Sequence, residues 1–164
     1  MSHLADGSGT FIGQTGNVIL TNDLPTYAEL VSLYASVGWT NYTEHPAVLE
    51  QALRNSSFVV CARSDTDKSD TGELLGLVRA VSDDVSICYV QDILVQPGAH
   101  RQGVGRALME AVLTRYAHVM QQVLITDDGE AQQAFYRSLG FHNTRDLTNL
   151  PTNCYYRTPG RDLS

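Results

Sequence analysis

The spacing of hydrophobic residues in the first third of the chain predicts one short strand and two helices. A small, polar and Gly-rich stretch, residues 1–16, is expected to be a flexible start, and residues 17–21 (NVILT) are a strand candidate. Thr26 and Glu29 have the spacing of a capping box, and apolar residues follow at helical intervals. A second helix is predicted to begin near Pro46, because proline suits the first helical turn.

The middle of the chain carries three apolar runs that predict three successive strands. The runs are SFVVCA at 57–62, LLGLVRAV at 74–81 and ICYVQDILV at 87–95. The polar sequence DTDKSDTG, residues 65–72, separates the first two and predicts a surface turn. Three strands joined in this way predict an antiparallel meander.

The last third of the chain alternates between helical and strand spacing. Its predicted elements are a helix at 104–118, a strand at 123–126, a helix at 130–139 and short strands at 141–145 and 154–158. In the first of these helices Leu108, Val112 and Tyr116 are expected to face inward. Because a strand–helix–strand unit brings parallel strands together, we predict one α/β domain over residues 1–164, with a mixed, partly parallel sheet and helices on both faces.

The charge of the chain narrows the partners to consider. A formal net charge of −7 does not suit nucleic acid but suits a cationic amine, although such a charge also serves solubility alone. No apolar run approaches the roughly 20 residues of a membrane span, and the first residues lack the apolar core of a secretory signal. We therefore expect a cytoplasmic protein that binds neither nucleic acid nor membrane.

The three cysteines point to the same compartment. Cys61 and Cys88 lie inside apolar runs, Cys154 lies near the C-terminus, and no C-x-x-C pair is present. They are expected to be reduced, buried thiols, and neither disulfide partners nor ligands of a metal.

A segment rich in glycine and arginine, VQPGAHRQGVGRALME at 95–110, joins the third strand of the meander to the next helix. Gly98 and Gly103 have the glycine spacing of a Walker A loop, but Val104 and Gly105 stand where lysine and a hydroxyl are needed. The dinucleotide fingerprint G-x-G-x-x-G also fails, because its third glycine is missing.

What remains is a helix whose first turn is RQGVGR, residues 101–106. Glycines leave backbone N–H groups unshielded there, and the partial positive charge of a helix N-terminus favours a pyrophosphate. Arg101 and Arg106 can add charge-assisted bonds to the same oxygens. The segment is thus either a pyrophosphate cradle or a glycine-rich helix entry that binds nothing.

Two motifs favour the cradle. The first joins ILVQP at 93–97 to HRQGVG at 100–105, and the second is AFYRSLGF at 134–141. In this order and spacing they resemble the [QR]-x-x-G-x-[GA] and F-Y-x-x-L-G-F motifs of the GNAT superfamily of acetyl-CoA-dependent N-acetyltransferases. The resemblance covers nearly the whole chain.

The resemblance implies the co-substrate and its binding residues. Acetyl-CoA would lie in a notch where two parallel strands separate, with its pantetheine paired to the backbone of Ile93, Leu94 and Val95. A backbone N–H near Leu94 or Val95 would stabilise the carbonyl oxygen of the thioester. The pyrophosphate would be held by the residues of the cradle, which are Arg101, Gln102, Gly103, Val104, Gly105 and Arg106.

The resemblance also suggests a general acid. Tyr136 matches the family's tyrosine that faces the sulfur, and a phenol of pKa about 10 can protonate a leaving thiolate. The alternative is an aromatic residue that merely packs on the sheet. Two positions depart from the family: His100 replaces Arg or Gln, and Gly129 stands where an asparagine often bonds the pantetheine.

A base is needed because an alkylamine of pKa about 10.4 arrives protonated. Tyr89, Gln91 and Asp92 lie on the central strand, and strand alternation places Asp92 on the opposite face unless a bulge re-aims it. Asp92 alone can accept a proton at neutral pH, so we predict it as the base, with water-mediated action or the orientation of a neighbour as alternatives.

The acceptor is expected to be a small aryl or alkyl primary amine, attacked directly in a ternary complex. Tyr34, Trp39 and Tyr42 are spaced to line such a site or, for Tyr34 above all, to pack in the core. A protein amine is a second candidate for the acceptor. An acyl-CoA sensor or interaction module without turnover is the competing class, and the family leaves a homodimer open.

Overall fold

The computed structural model describes residues 11–65 and 72–160. The first ten residues of the predicted flexible start, and residues 66–71 of the predicted surface turn, lie outside the described residues. Contacts between residues group the chain into two compact units, one that ends at Ile125 and one that begins at Thr126. Every described strand belongs to the first unit.

The first unit contains the elements predicted between residues 17 and 126, with ends shifted by a few residues, together with two that were not predicted. Its described elements are β1 Phe11–Thr15, β2 Val18–Thr21, α1 Tyr27–Ser36, α2 Thr40–Thr43, α3 Pro46–Arg54, β3 Phe58–Ser64, β4 Leu74–Ser82, β5 Ile87–Val95, α4 Val104–Arg115 and β6 Gln121–Leu124. The capping box of α1 is present, with the Glu29 N–H donating to Thr26 Oγ1 at 3.3 Å and the Thr26 N–H to Glu29 Oε2 at 2.8 Å.

The strands form one six-stranded sheet in the order β1-β2-β3-β4-β5-β6. All neighbours are antiparallel except β5 and β6, which are parallel. The predicted meander of β3, β4 and β5 and the mixed, partly parallel sheet are therefore confirmed.

Helices pack on both faces of this sheet. On one face, Leu77 of β4 belongs to a core that also includes Leu33 of α1 and Leu49 of α3. On the other face, a Cβ atom at Gly76 would lie 3.2 Å from Leu108 Cδ1 and 3.3 Å from Val104 Cγ1, both on α4. Adjacent strand residues point to opposite faces, so α1 and α3 lie on one side and α4 on the other.

Strand β1 is a departure from the flexible start predicted up to residue 16. Thr15 pairs with Val18 across a two-residue turn, in which Gly16 adopts φ 58°. The glycine–asparagine pair at 16–17 is a hairpin signal, but the polar residues around it are equally typical of a loop.

The strands predicted at 141–145 and 154–158 are wrong. In the second unit, α5 spans Glu130–Ser138, a 3-10 turn spans Thr144–Asp146, and residues 154–158 have no regular structure. Apolar and aromatic residues favour a strand only where a neighbouring strand can accept their backbone bonds.

The same C-terminal segment corrects one prediction about the cysteines. Cys61 and Cys88 are buried free thiols, and burial raises the pKa of Cys88 to about 11. Cys154 is also a free thiol, but it is exposed rather than buried, because it lies in the irregular segment.

Candidate active site

The loop between β5 and α4 leaves a row of backbone N–H groups free. It contains a 3-10 turn, Pro97–Ala99, and two residues in the left-handed region, Arg101 at φ 64° and Gly103 at φ 79°. Gly103 is the N-cap of α4, and its cap has no side-chain bond. Within the part of the chain that the structure describes, the N–H groups of residues 101–105 donate no backbone hydrogen bond of good geometry. Such a row of donors at a helix N-terminus suits the oxygens of a phosphate.

Side chains around this loop hold it in place and add positive charge. His100 donates from Nε2 to the Val95 carbonyl oxygen at 2.9 Å, and Gln102 donates from Nε2 to the Gly98 carbonyl oxygen at 3.1 Å. Arg101 is exposed, and the Arg106 guanidinium lies 3.5 Å from Glu110. His100, where the family motif has Arg or Gln, therefore ties the loop to the end of β5.

The C-terminal half of β5 extends beyond its parallel partner. β6 pairs with β5 only from Ile87 to Val90. Ile93, Leu94 and Val95 pair with β4 on the other side, opposite Val78, Leu77 and Gly76. Beyond Val90, the β6 side of β5 thus offers backbone groups that its parallel partner does not use.

A β-bulge in β5 changes the direction of its side chains. Arg79 of β4 pairs with Asp92, whereas the next residue, Ala80, pairs with Val90, so Gln91 is the extra residue. Val81 pairs with Tyr89, and Val81 and Arg79 are two residues apart in β4. Tyr89 and Asp92 therefore share the face that carries α1 and α3. Simple alternation predicts opposite faces, and the bulge reverses that result.

Asp92 is buried and holds three partners from three elements. Its exposed fraction is 3%, and it forms an ion pair with Nε of Arg79, which is 7% exposed. The Tyr34 hydroxyl donates to Oδ2 at 3.0 Å, and the Tyr42 hydroxyl donates to Oδ1 at 3.4 Å. Arg79 also donates from Nη1 to Ser56 Oγ at 3.3 Å.

The charges of this cluster shift its titrating groups. Burial, and then the negative charge of Asp92, raise the pKa of Tyr34 far above its ordinary value. Burial alone would lower the pKa of Arg79, but the carboxylate of Asp92 outweighs burial and raises it. Tyr34 therefore stays a neutral donor and Arg79 a cation at physiological pH.

Three rings pack together above the cluster, and we call Tyr34, Trp39 and Tyr42 the aromatic corner. Tyr34 lies with its ring centroid 5.9 Å from that of Trp39 and 5.2 Å from that of Tyr42. Tyr34 is fully buried in the core, whereas Trp39 is 37% exposed and Tyr42 is half-buried. Core packing thus accounts for Tyr34, while the other two rings retain surface on which a ligand can pack.

Tyr136 lies in α5 of the second unit. Its ring centroid is 5.2 Å from that of Phe135 and 6.1 Å from that of Phe141. Burial raises the pKa of Tyr136, a hydrogen bond with the Thr126 side chain lowers it in part, and the charge of Asp127 raises it again. The phenol therefore keeps its proton at neutral pH.

Comparison with known proteins identifies the family. The sequence profile of the Acetyltransferase (GNAT) family matches residues 24–141, which include the β5–α4 loop and Tyr136. The chain belongs to the GNAT family. The loop, the strand edge and the tyrosine are thus found together in a chain of acetyltransferase ancestry.

Relatives of this GNAT chain differ in their named substrates. The chain is 31% identical over 125 residues to Histone acetyltransferase TAP1 of Glycine max, covering 73% of this chain and 52% of that protein. It is 33% identical over 87 residues to the Peptidyl-lysine N-acetyltransferase YiaC of Escherichia coli, covering 51% and 56%. The chain spans about half the length of the curated relatives it matches.

A solved GNAT structure matches over most of both chains. A GNAT-family acetyltransferase of Streptococcus pneumoniae superposes with a TM-score of 0.67 at 32% identity, covering 87% of this chain and 97% of that one. The α/β fold with a mixed six-stranded sheet is therefore that of GNAT acetyltransferases.

The first unit of this GNAT chain brings together the loop, the edge of β5 and Asp92, whereas Tyr136 belongs to the second unit. Arg79 was missed in the sequence, although a lone arginine inside the apolar run LLGLVRAV signals a buried cation that needs a carboxylate.

Among the described residues, no cluster of three or more His, Cys, Asp or Glu side chains is placed to hold a metal ion. Nor does any helix in the described ranges have the length and apolar character needed to cross a membrane.

Proposed function

We propose that this protein transfers the acetyl group of acetyl-CoA to a primary amine by direct attack in a ternary complex. The observation that carries the proposal is the row of free N–H groups at residues 101–105, one loop beyond a strand whose edge extends past β6. The N–H groups of the loop fit the pyrophosphate of CoA, and the backbone edge of β5 fits its amide-rich pantetheine arm. Acetyl-CoA, the co-substrate that family membership implies, supplies the acetyl group as a thioester.

The chain's own residues would then divide the work. The loop residues, with the charges of Arg101 and Arg106, hold the pyrophosphate, and the edge of β5 from Ile93 to Val95 aligns the arm. A backbone N–H near Leu94 or Val95 stabilises the charge that develops on the carbonyl oxygen. In the overall reaction a C–N bond forms and the C–S bond breaks; of the two protons that the ammonium form of the amine loses, one passes to solvent water and the other replaces the proton given to the leaving thiolate.

Tyr136 would complete the proton balance as the general acid. Its phenol gives its proton to the departing thiolate as the C–S bond breaks. A raised pKa suits this role, because the phenol then remains protonated until the thiolate appears. The rings of Phe135 and Phe141 pack against the ring of Tyr136 and contribute to its partial burial.

The acceptor we propose is a small aryl or alkyl amine. Trp39 and Tyr42 retain exposed ring surface on the same face as Asp92, which suits the apolar part of such an amine. A protein lysine is a second candidate, and it is favoured by the names of the soybean and Escherichia coli relatives. Cytoplasmic location and a homodimer remain predictions from the sequence and its family.

Calorimetric titration with acetyl-CoA, followed by a free-thiol assay on the same sample, tests the proposal. The acceptor panel should contain aryl, alkyl and polyamine substrates and a lysine peptide. Binding with thiol release from a small amine is the expected result, and release from the peptide alone would move the acceptor to protein. Binding without release from any amine would favour a sensor, and no binding would overturn the cradle.

A further inference from the structure

We propose that Asp92 is a positioning residue, which holds the aromatic corner against the bulge of β5 and so shapes the amine-binding side of the site. In this proposal Asp92 does not remove the proton of the amine, which passes to solvent water instead. The inference rests on the proposed acetyl transfer. It replaces the role of base predicted from the sequence with the alternative that Asp92 orients its neighbours.

The oxygens of Asp92 are already engaged by its own neighbours. Both carboxylate oxygens already accept hydrogen bonds, Oδ2 from Arg79 and Tyr34 and Oδ1 from Tyr42. A guanidinium cannot give up its charge at any working pH. Loss of the Asp92 carboxylate from this contact would leave the buried charge of Arg79 without a counter-charge, which is strongly unfavourable.

The position of Asp92 suits an anchor. It directly follows the bulge residue Gln91 and directly precedes Ile93, the first residue of the proposed acetyl-CoA edge. Through Tyr34 it reaches α1, and through Tyr42 it reaches α2. One buried carboxylate therefore links the strand of the co-substrate to the helices that carry the exposed rings.

The pairing also indicates which part of the amine is recognised. Asp92 and Arg79 together carry no net charge, so the pair has little long-range attraction for an ammonium group. What remains available on this side is the ring surface of Trp39 and Tyr42. The anchor thus favours amines with an apolar or aryl substituent, and Tyr42 is the residue through which it sets that preference.

Four variants test the anchor by steady-state kinetics against pH, with the KM of each substrate measured separately. Asp92→Asn and Arg79→Met each leave one buried charge alone, so we expect both to raise the KM of the amine at least about tenfold. The double variant removes both charges, and we expect it to recover most of that loss. Tyr42→Phe should raise the KM of the amine about fivefold, with the KM of acetyl-CoA unchanged.

Asp23→Asn is the matched control. It disrupts another buried arginine–carboxylate contact, that of Arg63, whose Nη2 lies 2.7 Å from Asp23 Oδ2. This change should lower the melting temperature without altering the KM of the amine. The control separates general loss of stability from loss of positioning.

Two results would overturn the inference while leaving the transferase intact. If Asp92→Asn and the double variant both lose the acidic side of the pH–rate profile while Arg79→Met retains it, Asp92 is the base. If Tyr42→Phe and the Asp92 variants change stability alone, the cluster is only part of the core. A wild-type protein that releases no thiol with any amine refutes the proposed function itself, and the inference with it.

Discussion

At the scale of single residues, a phenol that protonates a leaving thiolate must keep its proton until the C–S bond breaks. Tyr136 meets this condition, because burial raises its pKa and the partial opposing effect of Thr126 does not cancel the rise. Because the pKa of Tyr136 is raised, its acid form persists to a higher pH than that of an exposed phenol. Any alkaline loss of activity due to Tyr136 should therefore begin above the ordinary phenol range.

Replacement of Tyr136 by Phe tests this role. Tyr136→Phe keeps the ring contacts with Phe135 and Phe141 but removes the proton, so kcat should fall about 100-fold or more. The calorimetric Kd of acetyl-CoA should stay unchanged. Tyr155→Phe is the control, since Tyr155 is 93% exposed in the same unit and should not affect kcat. An unchanged kcat in Tyr136→Phe would remove it as the acid.

At the scale of elements, the start of α4 depends on backbone conformations that few residues adopt. Gly103 at φ 79° reverses the chain just before the first helical turn, and Arg101 at φ 64° holds the same region without the freedom of a glycine. A non-glycine residue in this region is strained by about 1 kcal/mol or more. The loop tolerates that cost at Arg101, which fits a site where a charged side chain is needed beside free N–H groups.

Gly103→Ala should disturb the conformation of the β5–α4 loop and weaken the binding of acetyl-CoA. The left-handed conformation costs alanine roughly 1 kcal/mol, and relaxation of the loop would misdirect the N–H groups. We expect at least about tenfold weaker acetyl-CoA binding by calorimetry.

Gly16→Ala provides the comparison for this change. Gly16 also has a positive φ, 58°, and open space around its Cβ position, but it lies in the β1–β2 turn. It should lose similar stability in urea with no change in acetyl-CoA affinity. Equal effects of the two variants on binding would show that the loop has no specific role.

At the scale of the whole molecule, a buried arginine joins the first helix to the sheet. Arg63 of β3 is 5% exposed, and its Nη1 lies 2.6 Å from Oε1 of Glu29 in the first turn of α1. Burial alone would raise the pKa of Glu29, but hydrogen bonds from Arg63 and Thr26 outweigh it and lower that pKa. The folded state therefore binds the Glu29 proton less readily than the unfolded chain does.

The stability of the protein should consequently decrease in acid. A lowered pKa in the folded state contributes stability above the unfolded value of about 4.5, and this contribution is lost as the pH falls through the folded pKa. Urea unfolding from neutral pH to about pH 3 should show the fall. In Glu29→Gln the protein should be less stable at neutral pH and should lose less on acidification. Parallel curves for the two proteins would contradict this account.

Much of the architecture and of the proposed co-substrate site could be predicted from the sequence, because both depend on local patterns. Periodicity placed the meander, the inward positions Leu108 and Val112 of α4, and Tyr116 directly after that helix, and all three residues are buried. The glycines of the β5–α4 loop indicate unshielded N–H groups from the sequence alone. Local patterns were less reliable at 141–145 and 154–158. These residues have the composition of strands, but they pair with no strand of the described sheet.

Only the tertiary structure decided the surroundings of Asp92. Its partners Arg79, Tyr42 and Tyr34 lie 13, 50 and 58 residues away in the chain. A single extra residue, Gln91, turns Asp92 to the face where those side chains meet. The sequence alone identifies Asp92 as a carboxylate within an apolar strand, where its burial without a partner would cost free energy. The role of that carboxylate depends on the side chains placed beside it, and the folding of distant segments determines which side chains those are.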